Sequence, residues 1–202
     1  MSEWDSVADL VNFNLQISAN DFVAAVPFES KVLDFGCGYG RMTKEILELG
    51  YREVIGIDSS QEMVNRGLSE CPELDLRHLS TEVLPFSDGE FDSILLCAVL
   101  TCIPEQSSRN HVLKELHRVL KPQGIIYLAE FCSDQSLRFV SGTGVSMWHS
   151  SKAELEGLLK DFDIESSTLV DNPTMSGHKS KASHIIARKV ISQETMASIV
   201  NF

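Results

Sequence analysis

The fold of this chain is decided by residues 32–41, which read VLDFGCGYGR. Apart from Asp34, the first four residues are apolar and predict a short buried strand. The glycines at positions 36, 38 and 40 predict a tight turn in which the backbone can approach a ligand, because no side chain blocks it. Met42, Ile46 and Leu49 then recur at helical spacing. A strand, a glycine-rich turn and a helix in this order predict a ligand site at the carboxyl end of the strand.

The alternation of strand and helix continues beyond this stretch. Apolar and β-branched runs predict further strands at residues 54–57, 74–79, 91–97 and 125–131. The pattern Ser59-Ser60-Gln61-Glu62 predicts a helix capped by Ser59, and residues 112–120 predict another helix that ends before Pro122. Strands that alternate with helices are typical of a parallel sheet covered by helices, so the predicted class is α/β.

The two ends of the chain add further elements. Residues 6–26 have helical spacing and predict a helical segment that covers the ligand edge of the sheet. A second capping box, Ser151 to Glu154, predicts a helix through about Lys160. The runs 164–170 and 183–190 are predicted to pair as an antiparallel hairpin, because the connection between them is too short for a crossover helix.

Composition limits the classes of partner. The formal net charge of -12 and the pI near 4.9 leave no basic surplus to neutralise phosphates, so a nucleic-acid partner is disfavoured. No apolar run approaches the ~20 residues needed to cross a bilayer, and the first ten residues have acids where a secretory signal needs a basic region. We therefore expect no membrane insertion and a cytoplasmic protein. The sequence carries no signal of oligomeric state.

The five cysteines predict neither a disulfide framework nor a metal site. Their number is odd, and no C-x-x-C pair occurs among Cys37, Cys71, Cys97, Cys102 and Cys132. We expect most of them to be small buried thiols.

Two carboxylates and one arginine narrow the ligand class. Asp34 lies two residues before the first glycine, where it would repel a dinucleotide pyrophosphate but attract an ammonium group. Arg41 occupies the position of the third glycine in a dinucleotide-binding loop. Asp58 closes the second strand, where a carboxylate can accept hydrogen bonds from both hydroxyls of a ribose.

Four segments in register resemble the class I S-adenosylmethionine-dependent methyltransferases, particularly the group of small enzymes that includes the ubiquinone and menaquinone biosynthesis methyltransferases. VLDFGCGYGR resembles the first motif of this family, and VIGIDSS resembles its second-strand acid motif. STEVLPFSDGEFDSILL resembles the segment that leads into the fourth strand, and LKELHRVLKPQGIIYL resembles the helix and strand after it. The resemblance covers about residues 32–131 and implies a methyltransferase with S-adenosylmethionine as its cofactor.

The resemblance implies roles for particular residues. Asp34 would face the methionine amine of the cofactor, Asp58 would hold the ribose hydroxyls, and Cys97 with Ala98 would lie near the sulfonium. The complete set of implied cofactor-binding residues is Asp34, Gly36, Cys37, Gly38, Gly40, Asp58, Ser59, Met63, Ser80, Thr81, Glu82, Cys97 and Ala98.

Pattern and resemblance together predict one domain over residues 1–202. Its expected fold is a Rossmann-like open sheet that is mostly parallel, with an antiparallel C-terminal hairpin and with helices on both faces. Residues 1–30 are predicted to form an N-terminal helical cap and residues 31–131 the cofactor-binding core. Residues 132–190 are predicted to form the substrate-side connection, helix and hairpin, and residues 191–202 a tail.

The sequence identifies no catalytic side chain and no acceptor. A methyl group on a sulfonium is already activated, so the protein mainly has to align the acceptor. If a base assists, the candidates are Glu130, His149 and His178. Because of the acidic charge, a small-molecule acceptor is favoured over nucleic acid, while a protein acceptor stays open. We expect Trp4 and Phe13 to cover this acceptor together with residues 132–150.

Three other functions are compatible with parts of the pattern. A non-catalytic module that binds S-adenosylmethionine would have the same motifs. An NAD(P)-dependent oxidoreductase would have a similar glycine turn and ribose acid, although Asp34 and Arg41 argue against it. A thiol-dependent metalloid methyltransferase is suggested only by the cysteines near predicted strand ends.

Overall fold

The computed structural model describes residues 2–175 and 177–190, and its strands and helices follow the predicted alternation. The strands are β1 (Lys31–Phe35), β2 (Glu53–Asp58), β3 (Leu76–His78), β4 (Phe91–Cys97), β5 (Leu120–Cys132), β6 (Leu137–Val140), β7 (Ser146–His149), β8 (Phe162–Asp171) and β9 (Lys181–Lys189). The α-helices are α1 (Ala19–Ala25), α2 (Arg41–Glu48), α3 (Gln61–Glu70), α4 (Gln106–Val119) and α5 (Lys152–Leu158). Two 3₁₀ turns occupy Glu3–Val7 and Leu100–Cys102.

Seven strands form one sheet in the order β3-β2-β1-β4-β5-β9-β8. The pairs from β3 to β5 are parallel, whereas β9 is antiparallel to both β5 and β8. This topology confirms the predicted fold class. The chain moves outward from β1 to β3 and then returns to β4 on the other side of β1, so the strand order reverses between β1 and β4. In open α/β sheets this reversal is where ligands bind.

Alternate residues of the central strands pack into two cores, one on each face of the sheet. Leu33 belongs to one apolar cluster with Leu113 and Leu155, from α4 and α5. Val32 belongs to the other cluster with Ile46 and Phe22, from α2 and α1. Because side chains alternate along a strand, neighbouring residues reach opposite faces. Helices therefore cover both faces, as predicted.

The helix α3 begins one residue later than predicted. Ser60, not Ser59, is its N-cap, and its Oγ accepts a hydrogen bond from the backbone N–H of Met63. The same Oγ donates to Asp5 Oδ1 at 2.7 Å. The local sequence pattern allows either serine to be the N-cap, and the long-range contact with Asp5 is made by Ser60.

The predicted N-terminal helical cap over residues 1–30 is wrong for most of its length. Within the described residues 2–30, only the 3₁₀ turn and α1 are helical, and residues 11–18 have no regular structure. The backbone N–H of Phe13 donates to the Tyr39 hydroxyl at 3.0 Å, and that of Ser18 donates to the Tyr127 hydroxyl at 2.9 Å. Side chains of the core thereby replace the hydrogen bonds that a helix would have formed.

The C-terminal region combines two confirmed elements with one that the sequence did not predict. The capping box of Ser151 and Glu154 is present at the start of α5, and β8 pairs antiparallel with β9. The connection after β5 contains an additional hairpin, β6 paired with β7. The predicted tail at 191–202 lies outside the described residues. In the part of the chain that the structure describes, no helix has the length and apolar character needed to span a membrane.

Candidate functional site

A cavity of about 700 Å³ opens at the carboxyl ends of the central strands, where the strand order reverses. Its floor includes Asp34 of β1, Asp58 of β2 and Cys97 of β4. Pockets for small ligands typically have volumes of about 300 to 1,000 Å³. The cavity therefore has the size and the position of a binding site for a small ligand.

The glycine-rich turn brings its backbone against the cavity. Gly36 and Gly38 have φ angles of 70° and 56°, in the left-handed region that favours glycine. A Cβ at Gly36 would lie 2.7 Å from Cγ2 of Val99, and a Cβ at Gly38 would lie 2.8 Å from Cε2 of Phe13. Both conformation and space thus require glycine at these positions.

Asp34 is a buried carboxylate at the cavity. Only 1% of it is exposed, and its Oδ2 accepts a 2.7 Å hydrogen bond from Oγ1 of Thr43 in α2. Burial raises the pKa of Asp34 to about 6, although the hydrogen bonds from Thr43 oppose this rise. A cationic ligand beside this buried carboxylate would favour its charged form.

Asp58 joins the glycine turn to the start of α3. Its Oδ2 accepts a 2.8 Å hydrogen bond from the backbone N–H of Gly38, and its Oδ1 accepts one of 2.7 Å from Ser60. Burial raises the pKa of Asp58, while these two N–H groups lower it. The carboxylate is half-buried and lines the cavity, so its remaining lone pairs can accept hydrogen bonds from a ligand.

Most of the predicted cofactor-binding residues come together here. Those that line the cavity are Asp34, Gly36, Cys37, Gly38, Asp58, Ser59, Met63, Thr81, Glu82, Cys97 and Ala98. Gly40 and Ser80 are not among the described residues that line it. Gly40 is instead the N-cap of α2, with a φ of 82°, and Ser80 is exposed beyond β3.

The candidate base Glu130 holds the turn after β4 and does not line the cavity within the described part of the chain. Its carboxylate accepts hydrogen bonds of 2.8 to 2.9 Å from the backbone N–H groups of Val99, Leu100 and Thr101. Burial raises the pKa of Glu130 to about 7, and the three N–H groups oppose that rise. With both oxygens engaged, this carboxylate acts on backbone atoms and not on a ligand.

The candidate base His149 is also not among the described residues that line the cavity. Its ring stacks on Phe131 at 5.4 Å and meets Phe139 edge-on at 4.9 Å. Burial lowers the pKa of His149, so the neutral imidazole is favoured. The third candidate, His178, is exposed in the connection between β8 and β9.

The cavity thiols are poor nucleophiles. Burial raises the pKa of Cys97 to about 12 and that of Cys102 well above its usual value. No group of three or more His, Cys, Asp or Glu side chains within the described residues is arranged to hold a metal ion. A thiol-dependent metalloid chemistry, which needs thiolates, gains no support from this arrangement.

Several cavity residues were not identified from the sequence. Ser107, Ser108 and His111 lie in the first two turns of α4, a polar stretch with no apolar periodicity to predict it. Met175 reaches the cavity from the connection between β8 and β9, and no local pattern indicates this. In contrast, Trp4 and Phe13 and Met147 of β7, which lie in segments that the sequence predicted to cover an acceptor, do line the cavity.

The chain is similar in sequence to several methyltransferases. The family model described as a methyltransferase domain matches residues 33–128. The chain is 34% identical over 135 residues to the demethylmenaquinone methyltransferase of Lysinibacillus sphaericus, and this alignment covers 63% of the chain and 56% of the relative. The chain spans about half the length of the curated relatives it matches.

Solved structures share the fold. A SAM-dependent methyltransferase of Methanosarcina mazei superposes with a TM-score of 0.81 at 25% identity, over 88% of this chain and 100% of that one. The 1,6-didemethyltoxoflavin N1-methyltransferase of Burkholderia thailandensis, solved with 1,6-didemethyltoxoflavin and S-adenosylhomocysteine, superposes with a TM-score of 0.69. It is 23% identical and covers 86% of this chain and 76% of that one, so this second likeness shows the fold alone.

Proposed function

We propose that this chain carries a class I S-adenosylmethionine-dependent methyltransferase domain and that it transfers the methyl group of that cofactor to a small-molecule acceptor. The observation that carries the proposal is the pair of carboxylates, Asp34 and Asp58, on either side of the glycine turn in one cavity. A cofactor with an ammonium group at one end and a ribose near the other matches this pair.

The residues present fit S-adenosylmethionine. Asp34 is buried and has a raised pKa, which a cationic partner would relieve. Asp58 is held by Gly38 and Ser60 with lone pairs to spare for the ribose hydroxyls. The exposed Thr81 and Glu82 edge the cavity beyond β3, on the side expected for adenine.

When bound, S-adenosylmethionine supplies a methyl group that is already activated as a sulfonium, so no protein base is obligatory. The chain's own residues bind and orient. Asp34 and Asp58 would hold the two ends of the cofactor, and the backbone at Gly36 would lie alongside it. Phe131 and Met147 form an apolar wall that can align a flat acceptor and exclude water. No step of this proposal uses the candidate bases Glu130, His149 or His178.

The acceptor is open within the class of small molecules. The Lysinibacillus relative is named for demethylmenaquinone and the Burkholderia structure contains 1,6-didemethyltoxoflavin. These two compounds are the first acceptors to test. A cytoplasmic location and the absence of a nucleic-acid partner belong to the same proposal. Fractionation of cells that express the protein and binding assays with labelled RNA and DNA test them.

The decisive experiment is calorimetric titration of the protein with S-adenosylmethionine, S-adenosylhomocysteine and NADH. We expect heat from the first two ligands and none from NADH. A panel of acceptors is then assayed by release of S-adenosylhomocysteine. Tight cofactor binding without release for any acceptor would favour the non-catalytic binding module, and binding of NADH alone would favour the oxidoreductase.

Asp58→Asn tests the ribose role. We expect the Kd for S-adenosylhomocysteine to rise roughly 10- to 100-fold, because hydrogen bonds to a charged acceptor contribute about 1.5 to 3 kcal/mol. Asp75→Asn, which neutralises an exposed carboxylate at the start of β3, is the control and should leave the Kd unchanged. An unchanged Kd in a folded Asp58→Asn protein would refute the assignment.

A further inference from the structure

The residues that line the cavity lie along four consecutive strands of the sheet. Asp34 and Asp58 lie near the ends of β1 and β2, the part of the cavity that we propose for the cofactor. Cys97 ends β4, and Phe131 lies one residue before the end of β5; both also line the cavity. Because neighbouring strands are about 4.8 Å apart, the ends of β2 and β5 are separated by about 14 Å. The part of the cavity over β4 and β5, which we call the acceptor side, is thus available to a second molecule beside the cofactor.

Thr101 brings a buried hydroxyl to the acceptor side. The residue lies in the 3₁₀ turn after β4, lines the cavity and is only 2% exposed. Its backbone N–H donates to Glu130, but its Oγ1 has no hydrogen-bond partner among the described residues. An unpaired buried hydroxyl destabilises a folded protein, and valine would fill nearly the same space without this effect. The hydroxyl is therefore free to bind a polar group of a ligand.

Asn14 brings an unpaired acceptor atom to the same side of the cavity, which it also lines. The next residue, Leu15, accepts a hydrogen bond from Sγ of Cys97 at 3.5 Å, so this part of the N-terminal segment lies at the end of β4. Asn14 Nδ2 donates to the carbonyl of Pro173 at 2.8 Å, and this bond fixes the orientation of the amide because a carbonyl can only accept. The amide oxygen Oδ1 is buried and has no hydrogen-bond partner within the described chain. Only an N–H or O–H group can satisfy this oxygen.

Apolar side chains surround these two polar groups. Leu15, Phe131, Met147 and Met175 all line the cavity. The Phe131 ring stacks on His149 with 5.4 Å between the ring centroids, so the plane of this ring is fixed. An aromatic face favours a flat ring as its partner, and methionine side chains adapt to the outline of a ligand. The acceptor side therefore suits a flat apolar molecule.

The charges around the cavity disfavour an anionic acceptor. Arg41 is the only Lys or Arg among the described residues that line the cavity, and its Nη2 donates to the carbonyl of Leu15. The described lining also includes five acids, namely Glu3, Asp34, Asp58, Glu82 and Glu115. A carboxylate or phosphate on the acceptor would be repelled by this excess of like charge.

We propose that Asn14 and Thr101 bind polar groups of the acceptor, and that the acceptor is a flat, non-anionic molecule with at least one N–H or O–H group. This inference rests on the proposed function and names the class of its substrate. The two side chains bind and orient the acceptor. They do not remove a proton from it, because neither an amide nor an alcohol is a base at neutral pH.

The first test compares two probes that differ in their hydrogen-bond donors. Protein saturated with S-adenosylhomocysteine is titrated with 1,5-dihydroxynaphthalene and with 1,5-dimethoxynaphthalene, and binding is followed by NMR. We expect wild type to bind the dihydroxy compound roughly 3- to 10-fold more tightly, because only its O–H groups can satisfy Asn14 Oδ1. Asn14→Leu should lose this preference, since leucine offers no acceptor atom. The anionic 1,5-naphthalenedicarboxylate should bind most weakly to wild type.

Thr101→Val gives a second test with two readouts of opposite sign. Without ligand, we expect the unfolding temperature to rise by about 2 to 4 °C, because an unpaired buried hydroxyl is removed. Affinity for 1,5-dihydroxynaphthalene should fall roughly 3- to 10-fold, while the Kd for S-adenosylhomocysteine stays unchanged. A hydroxyl with a purely structural role would instead lower the unfolding temperature when removed.

Ser93→Ala is the matched control. Ser93 lies in β4, is fully buried and also has an Oγ without a hydrogen-bond partner in the described structure. It is not among the described residues that line the cavity. We expect the unfolding temperature to rise in this variant too, with unchanged affinity for the probes and for S-adenosylhomocysteine.

Several results would overturn the proposal. Equal affinity of wild type for the dihydroxy and dimethoxy probes, or no binding of either, would show that the acceptor side does not select this class. A preference that persists in Asn14→Leu would assign it to the bulk of the methyl groups. If wild type does not bind S-adenosylhomocysteine, the proposed function fails. If it binds that ligand and only the selection between probes is missing, the function stands and this inference alone fails.

Discussion

Asp34 has the environment that makes cofactor binding depend on pH. Its side chain is buried beneath the cavity, with one oxygen bonded to Thr43. In the folded protein without ligand its pKa is raised to about 6, against about 3.9 in an unfolded chain. The folded protein therefore binds this proton more tightly than the unfolded chain does. Ionisation of Asp34 as pH rises from about 4 to 6 lowers the stability of the ligand-free protein.

A bound ammonium group reverses the preference of Asp34 for its neutral form. We expect the affinity for S-adenosylhomocysteine to be constant above about pH 6 and to fall roughly tenfold for each pH unit below it, because protons then compete with the ligand. Calorimetry between pH 5 and pH 8 measures this profile. Asp34→Asn should bind more weakly and lose the inflection. An inflection that persists in this variant would assign the proton to another group.

At the scale of elements, the 3₁₀ turn Leu100–Cys102 is held at both ends by buried charges. Glu130 accepts the three N–H groups at its start, and Arg109 donates to the carbonyls of Leu100 and Ile103 at 2.6 and 2.7 Å. Arg109 also donates to Trp148 O at 3.2 Å, so α4 ties this turn to β7. Val99, just before the turn, packs over Gly36. The wall of the cavity beside the glycine turn is fixed by these bonds.

Replacement of Arg109 should destabilise the folded protein. Arg109 is 1% exposed, and we expect Arg109→Met to lower the free energy of unfolding by about 2 to 4 kcal/mol, because several carbonyls would lose their buried donor. Urea unfolding measures this loss. Arg138→Met is the control. Arg109 and Arg138 both lie over the Trp148 ring, at 3.6 and 4.0 Å, but Arg138 is exposed, so less than about 1 kcal/mol should be lost. Equal losses would show that stacking, and not hydrogen bonding, is the main contribution of Arg109.

Local patterns predicted the elements whose apolar residues recur regularly or form a continuous run. The run 91–97 predicted β4 with its observed bounds, since its apolar residues are buried on both faces. The region before α1 was predicted incorrectly because its apolar residues fit a helix, while its backbone partners are distant. Arg66 donates to the carbonyls of Ala8 and Val11, residues more than fifty positions away. No local window contains both sides of such a contact.

The residues of the candidate site fall into two groups: a short stretch of sequence indicates some of them, and only the fold brings the others to the cavity. Asp34, Gly36 and Asp58 lie in a short strand-turn-helix stretch and at the end of the adjacent strand, so sequence alone can indicate them. The residues Ser107 and Met175 reach the cavity only because α4 and the β8–β9 connection fold back over it. Glu130 has the type and position of a catalytic base, and only the three N–H groups around it reveal a structural role.

At the scale of the whole molecule, two distant segments close the cavity from outside. Trp4 and Phe13 come from the N-terminal segment, and Met147 comes from β7. The segments are joined where the backbone N–H of Ser146 donates to Glu3 Oε2 at 3.3 Å. Arg66 holds the N-terminal segment to α3 and lies over the Tyr39 ring at 4.0 Å. Because both segments line the cavity, we expect a bound ligand to stabilise these contacts.

Limited proteolysis tests this coupling. We expect S-adenosylhomocysteine to protect residues 3–15 from cleavage in wild type, and Arg66→Gln to be cleaved faster and to need more ligand for the same protection. Arg77→Gln is the control, since Arg77 pairs with exposed Asp75 away from this segment. Identical cleavage of wild type with and without ligand would contradict a covering role.

The excess of acids around the cavity has a consequence for turnover. Transfer of the methyl group converts a sulfonium into a neutral thioether, so the spent cofactor has one positive charge fewer than the fresh one. Five carboxylates against one guanidinium attract the charged form more strongly. We therefore expect the site to bind the sulfonium cofactor more tightly than its thioether product, and added salt should narrow the difference between the two affinities.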